Sequence, residues 1–374
     1  MLRLSVILTL ISLAIGWASG AAAEDKPPAI SGSAPTDAPK KASTWDKYSI
    51  RGYTQLRYSR VGNDNPSFSA DNDRSVGTSQ TLFVRRARLV ISGNPTEQLY
   101  IYIQPELAAI LSDTNYMLQM RDLYGDFFFD SNKEFRVRAG LSKVPVGFEA
   151  LQSSSIRAPL ERTDSSNTAV RDERDTGIFF YYTPSEKRAL FKKLVDEGLK
   201  GSGDYGVVGF GVYTGQTLSR RENNENLHTV ARISYPHELG GGQIIEGGVS
   251  GYTGLYNVTK SATAVPGGGP NFRDQRVVGH LVLYPQPIGI QGEFHVGRGP
   301  ELSGSDILVE PLHGGYLMAM YKLDDVAGKA MIPFARYQYY SGGRKTDTNS
   351  PFTSVHSTEV GIEWQVHPSF EVTA

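Results

Sequence analysis

Cysteine is absent from this chain, so no disulfide framework, thiolate metal site or thiol nucleophile enters its chemistry. Tryptophan is scarce, at three residues, and neither sign of charge dominates: 38 Lys and Arg stand against 39 Asp and Glu. A near-neutral chain has no global basic field of the kind that binds nucleic acid. Past the N-terminus no stretch approaches the roughly 18 consecutive apolar residues of a spanning helix, which excludes a helical inner-membrane protein. Catalytic spacing is also lacking. Gly209-Phe210-Gly211 with Gly215 is one residue off the dinucleotide fingerprint and sits in a strand pattern. Gly248-Val249-Ser250-Gly251 misses the nucleophile-elbow spacing by one. The seven histidines show no metal-ligand spacing. No catalytic residue, metal or cofactor is expected, and the chain is not read as an enzyme.

What is present begins with a secretory signal. Arg3 supplies a positive start, Leu4 to Trp17 an apolar run, and Ala21-Ala22-Ala23 small residues for cleavage before Glu24. Residues 1–23 are therefore expected to be a cleavable signal peptide. Residues 24–45 carry Pro27, Pro28, Pro35 and Pro39 among polar residues and read as a flexible periplasmic leader.

From residue 46 to 374 the chain alternates. Tyr48, Ile50, Gly52, Thr54, Leu56 and Tyr58 oppose Ser49, Arg51, Tyr53, Gln55, Arg57 and Ser59. Ile288, Ile290, Phe294 and Val296 oppose Gln291, Glu293 and His295; Val360, Ile362, Trp364 and Val366 oppose Glu359, Glu363 and Gln365. About ten such residues, tilted, span a thin membrane. Connections alternate in length as well. Tight turns are predicted at 94–97, 130–134, 237–241, 285–287, 323–329 and 367–368, and longer loops at 61–79, 215–226, 255–272, 297–312 and 341–354. Short turns on one rim and long loops on the other predict an all-β fold, a transmembrane up-and-down antiparallel β-barrel. One connection departs from this pattern. Residues 185–201 predict a short amphipathic helix on the periplasmic rim, with Leu190, Leu194, Val195 and Leu199 on one side and Gly201 as its stop. Fourteen complete strands are legible and a fifteenth begins at Ser369; because such barrels have even strand numbers, the chain as given is expected to lack about the last one to two of sixteen.

Charge placement suggests what the barrel carries. Segments 47–60, 82–92 and 135–148 hold ten basic and no acidic residues. By parity Arg51 and Arg57 face the interior. Arg86 with Arg88, and Arg136 with Arg138, each share a face, and an arginine in mid-membrane lipid would cost about 2–4 kcal/mol, so these too should face the lumen. Fixed cations favour anions over cations. The alternative is a balanced lumen, in which the strand carboxylates Glu106, Asp122, Asp126, Glu246, Glu293, Glu359 and Glu363 offset the arginines.

The order Phe83-Val84-Arg85-Arg86-Ala87-Arg88-Leu89, then Arg138-Ala139-Gly140-Leu141-Ser142-Lys143-Val144-Pro145-Val146-Gly147-Phe148-Glu149, resembles the phosphate-selective porins O and P. Ser153 to Ser155, Glu161-Arg162 and Arg171 to Gly177 continue the resemblance, which covers nearly all of the expected mature chain. It implies a homotrimer of sixteen-stranded outer-membrane barrels, set in outer-membrane lipid, that pass small anions such as phosphate. It also implies a third external loop, about 151–170, folded inward as a constriction. On that loop Arg157 and Arg162 would contact the anion, with Glu161 as their structural partner; Arg171 and Arg174 would brace the base, and Lys143 would end the strand feeding it. Guanidinium forks suit phosphate oxygens. Residues 130–175 hold eight basic and eight acidic side chains, however, so a general porin is the competing expectation, and a surface anchor or adhesin ranks lower because the loops are short.

Overall fold

Alternation governs the backbone throughout the computed structural model, which describes residues 7–18, 47–61, 81–109, 116–218, 220–261 and 271–374. The strands are β1 (Ile7–Ala18), β2 (Tyr48–Val61), β3 (Thr81–Gly93), β4 (Leu99–Ala109), β5 (Tyr116–Phe128), β6 (Phe135–Lys143), β7 (Arg174–Tyr182), β8 (Val208–Tyr213) and β9 (His228–Glu238). They continue as β10 (Ile244–Asn257), β11 (Asn271–Leu283), β12 (Ile288–Ser303), β13 (Asp306–Tyr321), β14 (Leu323–Val326), β15 (Lys329–Gly343), β16 (Phe352–His367) and β17 (Phe370–Thr373). Among the described residues two α-helices interrupt them, α1 (Asp164–Ala169) and α2 (Ser185–Asp196), and a single 3-10 turn spans Arg171–Glu173.

Each strand from β2 to β13 pairs antiparallel with its neighbour in sequence, so the whole is an up-and-down β-barrel fold in one sheet. After Lys322, β14 continues β13, and both pair with β15. The apolar run expected as a signal sequence lies between the two ends of this order. Its backbone pairs with β2 on one side and β17 on the other. The expected cleavage segment, the leader and, but for Val61, the loop expected at 61–79 lie outside the described residues.

The inside–outside sorting is the reverse of that in a water-soluble protein. Val360 is 76% exposed and Leu118 73%, and Ile233, Leu281, Leu317 and Ile362 join them on the outer wall. Arg57 is 0% exposed, and Arg86, Arg136, Glu246 and Glu293 are buried inside. A continuous apolar exterior around a charged interior is stable only where hydrocarbon replaces water as the outer solvent.

Three expectations about connections are corrected. The long loop expected at 297–312 is mostly strand: β12 and β13 pair without a break from Ile288↔Tyr321 up to Ser303↔Asp306, so the hairpin stays a paired ribbon to its tip. The turn expected at 323–329 shrinks to Ala327-Gly328, both at positive φ, with the Gly328 N–H donating to Asp325 Oδ1 at 2.8 Å. Helix α2 stops at Asp196 rather than near Gly201. Gly198, at φ +66°, terminates it, and Gly201 instead packs where a Cβ would come within 2.8 Å of Leu194.

Candidate functional site: the inward loop and its charged wall

The chain between β6 and β7, residues 144–173, turns into the barrel and is buried along most of its length. Gly147 makes that turn possible. Its φ is +68°, and a Cβ there would lie 2.8 Å from the Glu293 carboxylate. Glu293, on β12, accepts the N–H groups of Phe148 and Glu149, while the Gly147 N–H donates to Ser250 Oγ at 2.8 Å. The barrel wall thus satisfies backbone donors that an inward loop would otherwise bury unpaired.

Three wall cations then bind the rest of the loop. Arg336 on β15 donates to Glu149 at 2.7 Å, to the Glu161 carbonyl at 2.9 Å and to Glu359 at 2.5 Å. Arg276 on β11 donates to the Ser165 and Thr168 carbonyls at 3.0 and 2.8 Å, satisfying buried carbonyls of α1. Lys345 donates to the Ala169 carbonyl at 2.6 Å and pairs with Asp274; burial brings this ammonium down to about 8, against the raising effect of Asp274. Within the loop, Thr163 and Ser166 both donate to Glu149 Oε2, at 2.7 and 2.8 Å.

The far corner of the loop meets the opposite wall. Glu161 accepts from Arg57 at 2.8 Å, Arg85 at 2.8 Å and Arg86 at 3.2 Å. Burial alone would raise this carboxyl, but the charges of Arg85, Arg57, Arg86 and Arg157 outweigh it and hold Glu161 well below the usual carboxylate range. Arg85 was not expected here, since alternation places it opposite Arg86. A bulge explains its arrival: the register passes from Gln55↔Arg86 to Leu56↔Val84, so Arg85 is the extra residue and its side chain also reaches the lumen.

The remaining candidates divide by partner. Arg157 donates to the carbonyls of Pro159 and Leu160 at 2.9 and 2.7 Å, and its Nη1 is buried without a hydrogen bond. Arg162 does not take Glu161 as its partner; it pairs with Glu173 at 2.5 Å, because the turn after α1 brings Glu173 beneath it. Burial pulls Arg162 down to about 10, opposed by Glu173. Arg88 pairs with Glu106, Arg138 with Asp126 at 2.7 Å, and Arg136 with Asp204 at 2.8 Å. Lys143 is spent on the carbonyls of Leu151 and Gln152, at 2.7 and 2.8 Å. Arg51 is exposed and donates to Ser92 Oγ at 3.0 Å. Arg174 pairs with Asp122 at 2.9 Å and Glu173 at 2.7 Å, and Arg171 approaches Asp347 at 3.7 Å, so both brace the loop base.

A second segment enters from the other rim. The β7–β8 connection packs Leu194 and Leu199, with Leu190 beside them, against Phe148 of the inward loop and Ile244, Val282 and Tyr284 of the wall. The Lys200 carbonyl accepts from Gln152 at 2.7 Å while its ammonium pairs with Glu363 on β16. The β7–β8 connection and the inward loop therefore form one packed unit.

A family profile described as phosphate-selective porin O and P matches residues 57–269, more than half of the chain and inclusive of the whole inward loop. The chain belongs to this family. As a member of the porin O and P family it is an outer-membrane channel, located in the bacterial outer membrane, and a channel rather than an enzyme. Among solved structures it is similar to the outer-membrane channel DcaP of Acinetobacter baumannii, at 11% identity and TM-score 0.50, over 88% of this chain and 90% of that one. It is also similar to a loop L8 deletion mutant of OmpT of Vibrio cholerae, at 9% identity and TM-score 0.48, over 88% and 97%. At such identity the likeness to DcaP speaks for the fold alone. No curated protein matches the chain.

The depressed acids of this porin's loop give a pH prediction. Burial raises Glu173, but Arg162, Arg121 and Arg174 outweigh it, so like Glu161 it titrates below its ordinary value. A carboxylate with a lowered folded pKa contributes stability that is full above its unfolded value of about 4.3 and is lost only as pH falls toward the folded value. Single-channel conductance and open-channel noise are expected to be flat from about pH 7, where the Lys345 ammonium is still charged, down to about pH 5. A step in either quantity within that window would mean that these two acids do not hold the loop.

Proposed function

We propose that this porin is a diffusion channel that prefers anions, with phosphate as candidate cargo, working as a homotrimer as the family resemblance implies. The observation that carries the reading is the crowding of four guanidinium groups, Arg57, Arg85, Arg86 and Arg157, around the single carboxylate of Glu161. Glu161 retains 16% side-chain exposure and Arg85 20%, so the cluster touches water. Arg157 in addition keeps a buried N–H without a hydrogen bond, which a phosphate oxygen would satisfy. An anion passing the loop corner meets first the guanidinium of Arg85, the most exposed of the four, and reaches the buried Arg57, Arg86 and Arg157 as the corner yields.

A second reading, a general porin of weak selectivity, is favoured by the pairing elsewhere. Arg88, Arg136, Arg138, Arg162, Arg174 and Arg336 each face a carboxylate within ion-pair distance, which leaves oriented dipoles rather than net charge. Planar-bilayer recording under a chloride gradient, followed by phosphate titration, separates the two. Anion-selective reversal with chloride current blocked by phosphate supports the first; an unselective or cation-selective pore indifferent to phosphate overturns it.

A further inference from the structure

The outer wall carries a trough of about 650 Å³ where lipid-facing positions of adjacent strands are glycine. Gly279 on β11 and Gly292 on β12 form its floor, and Leu281, Phe294, Leu317 and Tyr337 its sides. The register makes the arrangement contiguous: Gly279 pairs with Phe294, Leu281 with Gly292, and Gly292 with Leu317. Leu281 is 67% exposed and Leu317 60%, so the trough opens outward, away from the charged lumen.

What lies above it is polar on one side only. Four residues beyond Phe294 toward the long-loop rim, Arg298 is exposed on the same face of β12. His313 on β13, which pairs with Val296, hydrogen-bonds Tyr339 on β15, and neighbouring Tyr337 hydrogen-bonds His356 at 2.8 Å. Below the trough the outward residues return to Ile290, Ala319, Ile288 and Ile362. The wall therefore reads, from the external rim inward, as a cationic and hydrogen-bonding band and then an apolar slot.

We propose that this trough binds one outer-leaflet lipid bearing a phosphorylated head group, an acyl chain lying over Gly279 and Gly292 and the phosphate meeting Arg298 and His313. Charge complementarity chooses the occupant. The slot is apolar where acyl chains lie, and its polar residues are confined to the depth at which outer-leaflet phosphates sit. A second copy of the chain would bury the slot but gives no reason for a cation at one end only. Guanidinium suits the phosphate, and the imidazole and phenol add hydrogen bonds at the interface, where aromatic residues with polar tips are favoured.

The trough can be filled without disturbing the barrel. A Cβ built on Gly279 meets nothing within 4 Å, and its backbone is not in the left-handed region, so Gly279→Leu enters the slot with no clash at Cβ and no backbone penalty. Native mass spectrometry of detergent-purified protein with stepwise addition of lipid A counts lipid bound per protomer, and heat-modifiable migration verifies folding. Wild type is expected to retain one lipid per protomer more tightly than the rest. Gly279→Leu is expected to weaken that binding about ten-fold or more, and Arg298→Gln, which leaves the slot open, should weaken it several-fold. Should Gly279→Leu fail to fold, Arg298→Gln carries the test. Binding of lipid A by both folded variants as by wild type would overturn the proposal. So would a change of oligomeric state in Gly279→Leu with lipid binding intact, which would give the slot to a second copy of the chain.

Discussion

Glu161→Gln is expected to increase anion selectivity and to tighten phosphate block of chloride current by about ten-fold. The substitution keeps an acceptor for Arg57 and Arg85, which donate to Glu161 at 2.8 Å, and removes the one negative charge at the centre of the cluster. A unit charge at about 4 Å is worth roughly 1 kcal/mol in water and about 4 kcal/mol near a protein surface, so a site between these limits shifts by about an order of magnitude. Repulsion among the released guanidiniums would be relieved by the permeating anion itself, which makes binding rather than collapse the favoured response. Glu161→Asp serves as the control, since it keeps the charge. Unchanged reversal potential and unchanged phosphate block in Glu161→Gln would show that the cluster lies off the permeation path and serves only to fasten the loop.

Glu149→Gln is expected to loosen the inward loop itself. Glu149 joins both ends of the inward loop to the wall: Arg336 donates to one oxygen at 2.7 Å, and Thr163 and Ser166 to the other at 2.7 and 2.8 Å. Glu149 is 1% exposed and Arg336 4%, and removing one member of a buried pair costs about 3–5 kcal/mol because the other charge stays in low dielectric. Arg336 keeps Glu359, so the loss falls mainly on the link between loop and wall. The measurements are the thermal midpoint of the detergent-solubilised protein and open-channel noise in bilayers. A lower midpoint with noisier, larger currents is the expected result. A lower midpoint with quiet, unchanged currents would mean that Glu293, Arg276 and Lys345 suffice to hold the loop.

Much of the barrel was legible because its physics is local. Period-two alternation fixes which side chains of β2, β12 and β16 point to lipid, and the cost of arginine in hydrocarbon turns Arg57, Arg86, Arg88, Arg136 and Arg138 inward whatever the neighbouring strand contributes. The strand carboxylates Glu106, Asp122 and Asp126 could be named for the same reason. Their partners could not, because pairing depends on register: Arg88 meets Glu106 and Arg138 meets Asp126 only through the ladders that place β3 beside β4 and β5 beside β6.

Three features of the site needed the folded chain. Arg85 enters the lumen through a bulge, a one-residue slip that alternation cannot foresee. Glu161 leaves Arg162 for the β2–β3 wall and Arg162 turns to Glu173, because the course of the loop after Gly147 is set by contacts with Glu293 and Arg336, some 145 and 175 positions away in sequence. Phe148 meets Leu194 and Leu199 only because the β7–β8 connection folds into the barrel. The sequence by itself determined that this protein is a strand-built channel with a charged interior, since hydrocarbon outside and water inside act on each residue separately. Which charges remain available to an anion was decided by tertiary structure alone, because neutralisation is a property of pairs, and the pairs form between segments far apart in the chain.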